Sequence, residues 1–351
     1  MIIFGLSASV NSQITLVQND FPSAGVELTA SRLSSMTIDY ASTGANYQWD
    51  FSDLTLINQT GKDFFAPINL PFLVNFAYGP LASTAYRATY YSPYSDLPLN
   101  QISNYLPIQI ADVNQYTRIT TSRLNLLGYS ASINGQAMPI KSDTIETKYE
   151  LPLNFGDTYS SRGYTKLDLN PLADARWIQM RQRSSVVDGW GEITTPYGTF
   201  EVLRVKHEIN EIDTVEYQGF TIGLNVPKTF EYEWLAKGED IPILKVSTVQ
   251  NSGVEVVTVV EFKDFDLLSA NKISSEDEML IFPNPVDKLV TIQSKEGVKA
   301  GKIFNVDGNL IKKFSFNDVA YQVDLSNLQA GMYFISIEKN GINTTQSFIK
   351  L

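Results

Sequence analysis

The sequence predicts an all-β protein, with an antiparallel sandwich or curved open-barrel body followed by a small Ig-like β-sandwich. Three observations lead there. Aromatic residues make up 12% of the chain, mostly Tyr and Phe, alongside many Val, Ile and Thr, and these side chains fit pleated, half-buried surfaces. Apolar and polar residues alternate with period two over several runs. Short turn signals separate those runs, and short turns join antiparallel neighbours.

In chain order, Met1–Ala8 reads MIIFGLSA, an apolar run followed by small and polar residues. Residues 1–12 read as a signal-peptide remnant that lacks the basic start, with Val10 and Ser12 before a cut at Gln13. A buried first strand is the competing reading. The body spans 13–267. Within it, Asn134-Gly135 between Tyr129–Ile133 and Ala137–Ile140 marks a hairpin. Thr195-Pro196-Tyr197-Gly198 is a turn leading into Thr199–Glu211. There Leu203, Val205, His207 and Ile209 share one face, and Val202, Arg204, Lys206 and Glu208 share the other. Thr229–Leu235 places Phe230, Tyr232 and Trp234 on one face, and Glu231 and Glu233 on a face that reads as solvated. Ile241–Val249 and Val254–Phe262 are further strands. Asn170–Gln182 is the one stretch with a helical reading, and its alternation favours a strand. The body reads as one domain or as two dividing near 140–157. Residues 268–278, polar and Ser-rich, read as a linker. No stretch reaches about 18 apolar residues, so no membrane-spanning helix is expected.

Charge narrows the function. The chain carries −11 overall, while residues 280–351 hold eight Lys against four Asp and two Glu, which leaves −13 for the rest. An acidic body argues against nucleic acid, which needs clustered Lys and Arg. With no Cys and one His, disulfides, thiolate chemistry and His- or Cys-built zinc sites drop out. No glycine-rich phosphate loop or EF-hand loop is present, and no cofactor is expected.

The tail, 279–351, opens with Phe282-Pro283-Asn284-Pro285, whose prolines hold the backbone extended. Strands at Leu289–Gln293, Gly301–Val306, Asn309–Phe316, Tyr321–Leu325 and Met332–Glu338 follow, with turns at Asp307-Gly308 and Asn340-Gly341. Pro283-Asn284-Pro285, Val306-Asp307-Gly308, Asp324-Leu325-Ser326 with Leu328, Ala330-Gly331-Met332-Tyr333-Phe334 and the closing Phe348-Ile349-Lys350 come in this order. In these motifs the tail resembles the type A sorting domain of proteins exported by the type IX secretion system of Bacteroidota. The resemblance covers about a fifth of the chain. It implies that Pro283, Asn284, Pro285, Asp307, Gly308, Asp324, Gly331, Tyr333 and Lys350 form a sorting motif. It further implies passage through the type IX outer-membrane machinery, then attachment to surface lipopolysaccharide or release. In the body, Asp188-Gly189-Trp190-Gly191 and Thr195–Phe200 are similar only to segments of uncharacterised secreted proteins with the same tail. Asp143-Thr144-Ile145 and Asp213-Thr214-Val215 match the short O-glycosylation pattern of that bacterial group.

Candidates for chemistry in the body are few. A Ser–His–Asp arrangement would have to use His207, whose apolar strand face reads as core. Glycoside hydrolysis needs two carboxylates, so Asp50, Asp188 and Glu192 around Trp190, and Glu231 with Glu233, are candidates. Trp49, Trp177, Trp190 and Trp234 are candidates for stacking on a glycan, against core packing. The reading is a secreted or cell-surface protein whose body is a non-catalytic binding, adhesion or structural module. The alternative is a secreted hydrolase of polysaccharide acting through paired carboxylates.

Overall fold

The computed structural model describes residues 13–33, 38–95, 97, 108–170, 174–265, 280–293, 300–305, 309–315, 320–339 and 342–351. The signal-peptide remnant, the linker and the Asp307-Gly308 and Asn340-Gly341 turns lie outside them. Contacts divide the chain into residues 1–265 and 266–351.

The first unit is built on one sheet of fourteen strands. They are β1 (Val26–Leu33), β2 (Tyr47–Asp50), β3 (Leu56–Phe64), β4 (Tyr90–Pro93), β5 (Ile110–Ile119), β6 (Arg123–Ile133) and β7 (Gln136–Glu150). Then come β8 (Thr158–Asp168), β9 (Ala175–Thr195), β10 (Gly198–Tyr217), β11 (Phe220–Leu224), β12 (Thr229–Ala236), β13 (Leu244–Asn251) and β14 (Val254–Asp264). The order across the sheet is β3-β1-β14-β13-β12-β10-β9-β8-β7-β6-β5-β4, with β11 beside β10 and β2 running parallel to the end of β9. Its two ends come back together. Phe65 and Tyr91 exchange backbone hydrogen bonds of 2.8 and 3.0 Å, and their rings touch. The sheet is therefore a nearly closed, barrel-like antiparallel structure.

Local sequence explains the path. Asn134 and Gly135 both have positive φ, 49° and 83°, the conformation a two-residue hairpin turn needs, and they join β6 to β7. Pro196-Tyr197 joins β9 to β10, whose register runs from Gly198↔Thr195 to Tyr217↔Ala175. Of the stretch 170–182, Ala175 to Gln182 is strand, the start of β9. One helix was not expected: α1 (Phe72–Tyr78). Pro71 precedes it, Tyr78 is buried, and the Tyr78 hydroxyl donates to the carbonyls of Tyr129 and Ile140 at 3.0 and 2.8 Å. Seven residues are too few to show a helical period.

The inner face of the sheet has two apolar ends. Leu16, Phe21, Tyr149, Val187, Leu203 and Leu235 fill one, and Ile133, Leu167, Trp177 and Val215 fill the other. Outside, Trp49 and Phe51 cover β12, β13 and β14 through Trp234, Val246 and Phe262. Gly191 is where β2 crosses, and a Cβ there would collide with the Tyr47 backbone.

The second unit packs a three-stranded sheet against a four-stranded one. The first sheet is β15 (Leu280–Phe282), β16 (Leu289–Gln293) and β19 (Ala320–Asp324). The second is β17 (Ala300–Asn305), β18 (Leu310–Phe314), β20 (Gly331–Lys339) and β21 (Ile342–Lys350). Ile281, Val290, Ile292 and Val323 of one sheet meet Ile303, Ile335, Ile337 and Phe348 of the other in a single core.

Candidate functional site

Between the apolar ends of the barrel lies a belt of charge. Antiparallel register sets Val205, Glu233, Lys245, Glu261 and Arg32 side by side across β10, β12, β13, β14 and β1. Four charges therefore alternate in sign across neighbouring strands, an arrangement that favours pairing. Lys62 Nζ stands 2.8 Å and Arg32 Nε 3.3 Å from Glu261. Lys148 Nζ donates to Glu233 Oε1 at 2.9 Å, and the Tyr149 hydroxyl donates to Oε2. Since β7 and β12 are not neighbours, this contact crosses the interior.

The next row continues the chain of pairs. Glu231 accepts from Lys245 at 2.7 Å and from Arg183 at 3.0 Å, and Arg183 donates to Glu146 at 2.6 Å. Arg181 stands 3.5 Å from Glu146 and 2.9 Å from Glu211. Burial alone would raise the carboxyls of Glu146, Glu231, Glu233 and Glu261. Their cationic neighbours outweigh it and hold all four below the ordinary range. Glu231 and Glu233 are thus not a solvated face. The alternation is real, but the Glu side faces the barrel interior and the aromatic side packs against β2.

His207 is fully buried in this belt. Burial pushes its imidazole down to about 4, so it is neutral at pH 7. Its Nδ1 lies 2.7 Å from Ser185 Oγ, and its Nε2 lies 3.4 Å from Glu233 Oε2. Towards the Trp177 end, Asp213 is wholly buried. Trp177 Nε1 donates to its Oδ2 at 3.4 Å, and Oδ1 has no partner among the described residues. Burial, with Glu211 beside it, pushes this carboxyl up to about 7. At the two O-glycosylation patterns, Thr144 is exposed, whereas Asp213 faces the interior.

A cavity of about 440 Å³ opens where β3 and β4 part beyond the Phe65–Tyr91 bridge. Lys62, Lys245 and Glu261 line it, and they also line a smaller cavity of about 160 Å³ that reaches Lys148 and Glu233.

Asp188, Trp190 and Glu192 fall elsewhere, on the last part of β9. Both carboxylate oxygens of Asp188 accept from Arg204 Nη1, at 2.9 and 2.8 Å, and Thr43 Oγ1 donates to it at 3.2 Å. The sequence pattern places Arg204 on a polar face. Arg204 keeps that face, opposite Trp234 on β12, but the face is covered by the aromatic layer rather than by solvent, so Val202 to Val205 are buried in succession. The Arg204 guanidinium lies over the Tyr232 and Trp234 rings, and Arg204 also donates to the Tyr40 carbonyl. Trp190 packs at the apolar end near Leu203, and Glu192 pairs in register with Glu201. None of the three lines either cavity. Trp49, Trp177 and Trp234 are core residues. Asp188→Asn is expected to lower stability by about 1.5 kcal/mol, since one charge-assisted bond to a buried guanidinium is lost and one hydrogen bond is kept. All four tryptophans lie before residue 266, so tryptophan fluorescence during urea unfolding reads the body alone.

In the second unit several of the residues expected to form the sorting motif meet at the closing strand. Asn284 Oδ1 accepts from the Ile349 amide at 2.9 Å, and Val286 and Ile349 are joined at 2.8 Å, so the Pro283-Asn284-Pro285 segment is stitched to the closing strand. Gly331 pairs with Lys350, and Tyr333 with Phe348, their rings stacked at 5.7 Å. Asp324 caps the following turn, accepting from the Ser326 amide and hydroxyl at 2.9 and 2.6 Å, and these bonds lower its carboxyl. Residues 280–351 match the family model described as the secretion system C-terminal sorting domain. The tail is a type IX sorting domain. Asp307 and Gly308 of its motif lie outside the described residues.

The sorting domain implies export by the type IX system, to the cell surface or the extracellular space. No helix among the described residues is long and apolar enough to cross a membrane. No curated protein matches the chain. Among solved structures it is similar to PorZ, an essential surface component of the type IX secretion system of Porphyromonas gingivalis. The identity is 9%, the TM-score 0.19, and the match covers 70% of this chain and 45% of that one. This chain thus spans less than half of PorZ.

Proposed function

We propose that the chain is a passenger of the type IX route whose body works outside the outer membrane as a non-catalytic binding module. The sorting domain at 280–351 supports the export half. For the body, the supporting observation is the belt at the cavities: Glu233 and Glu261 there are held ionised by cations, whereas a hydrolase needs one carboxyl raised to act as acid, and the raised one, Asp213, lines neither cavity. Lipopolysaccharide attachment after processing is part of this reading. Deleting residues 280–351 is expected to leave the body in the periplasm, with less than a tenth of the wild-type amount at the surface or in the medium. Cell fractionation with immunoblotting of the body measures this. Surface delivery of the truncated chain at the wild-type level would refute the export half.

One observation favours a hydrolase as the second reading: Ser185, His207 and Glu233 lie in sequence. Here, however, the serine meets Nδ1, the nitrogen that a triad gives to its carboxylate, and all three residues are buried.

A further inference from the structure

We propose that the seam cavity of the body binds an uncharged, polyhydroxylated ligand the size of one or two sugar rings. The inference rests on the binding-module reading and supplies its ligand class. Among the described residues the barrel closes through one bridge, Phe65 with Tyr91, and beyond it β3 and β4 line the cavity. The opening leads sideways into the interior, so a ligand reaches the charge belt without the barrel unfolding. Its volume of about 440 Å³ would hold about fifteen waters at about 30 Å³ each, and lies within the range of small-ligand sites.

The wall decides the chemistry. Its cations are already engaged, Lys62 and Arg32 by Glu261 and Lys245 by Glu231. An anion would have to break those pairs, which a neutral ligand does not. A wall of paired charges offers both donors and acceptors at fixed positions, and Thr60, Ser92 and Ser247 add hydroxyls. Such a surface suits a molecule whose own groups donate and accept at once. Two rings, Phe64 and Tyr94, complete the wall. Each is braced from behind, Phe64 edge-on by Tyr90 at 5.0 Å and Tyr94 by Tyr129 at 5.2 Å. A braced ring costs little ordering on binding. A sugar ring presents an apolar C–H face and a rim of hydroxyls, which matches braced rings set among paired charges. A metal ion is a poorer fit: among the described residues no group of three or more His, Asp or Glu is placed to hold one.

Isothermal titration of the full chain tests this with glucose, galactose, mannose, N-acetylglucosamine, maltose, cellobiose and lactose, with glucuronate and inorganic phosphate as anionic controls. At least one neutral sugar is expected to bind saturably with Kd between micromolar and low millimolar, and Ser247→Trp, which fills the cavity, to weaken it at least about tenfold. Tyr94→Ala is expected to weaken the same sugar, and it carries the test should Ser247→Trp not fold. Absence of neutral-sugar binding up to about 10 mM overturns the proposal. So does unchanged binding by the folded variants. Binding of glucuronate or phosphate alone also overturns it, while leaving the binding-module reading in place. None of these results bears on export, which the tail deletion tests separately.

Discussion

Replacing Glu233 with alanine is expected to cost the body about 4 kcal/mol of stability at pH 7, the scale measured when one partner of a buried ion pair is removed. Glu233 is 1% exposed and is approached by Lys148 at 2.9 Å, the Tyr149 hydroxyl, His207 at 3.4 Å and Lys245 at 3.9 Å. Without the carboxylate, Lys148 loses its ion-pair partner, while Lys245 keeps Glu231. Glu233→Gln retains volume and one acceptor, so a loss of about 2 kcal/mol is expected. The sign with pH follows. Glu146, Glu231, Glu233 and Glu261 all sit below their ordinary value of 4.5 in the folded body. Their stabilisation is therefore fully present above about pH 4.5 and is lost as pH falls through the folded values. Glu233→Ala removes one of the four, and its loss of stability on acidification is expected to be shallower than that of the wild type. Urea unfolding followed by tryptophan fluorescence at pH 3 to 7 reads both effects. A cost below about 1 kcal/mol at pH 7 would mean that the belt is a set of independent, solvent-screened pairs.

The outline of this protein was legible because turns and alternation are local. Asn134-Gly135 and Pro196-Tyr197 announced their hairpins, and the strand Leu289–Gln293 appears with the expected bounds. The tail was legible through motifs whose spacing survives as contact: Asn284 meets Ile349, and Gly331 meets Lys350. The charge belt was not. Alternation tells which residues share a face of a strand, but not which face turns inward once a long sheet curls. Glu231 and Glu233 on one strand, Glu146 with Lys148, and Arg181 with Arg183 are each a charged pair two residues apart. Read singly, each looks like a solvent face. Read together, opposite charges at matching spacing on several strands are the signal for a closed interior. Arg204 shows the other limit: it stays on the face that alternation gives it, but that face is covered by Tyr232, Trp234 and the Tyr40 backbone, which alternation along one strand does not reveal.

Asp213→Asn is expected to stabilise the body by about 3 kcal/mol at pH 8 and to leave it within about 1 kcal/mol of the wild type at pH 4. In the native state the Asp213 carboxyl is raised from 3.8 to about 7 by burial and by Glu211, with Arg181 and the Trp177 N–H pulling the other way. Between these values the folded chain holds a proton that the unfolded chain has released. Stability from this group therefore falls as pH rises from about 4 to 7 and is lowest above it. The displacement corresponds to about 4 kcal/mol. An asparagine keeps an oxygen for Trp177 and never ionises, but its amide nitrogen takes the place of the unpartnered Oδ1, which returns about 1 kcal/mol. His207 acts with the opposite sign. Its imidazole is lowered from 6.5 to about 4, so the unfolded chain holds the extra proton, and stability rises with pH across that interval. In the wild type the two slopes oppose each other between pH 4 and 6.5, and these groups together leave the profile nearly flat. The variant loses only the falling slope, so its stability is expected to climb through this interval and to hold level above pH 7. Equal stability of variant and wild type at pH 8 would mean that Asp213 is ionised and paired in the native state, and the flat wild-type profile would then need another cause.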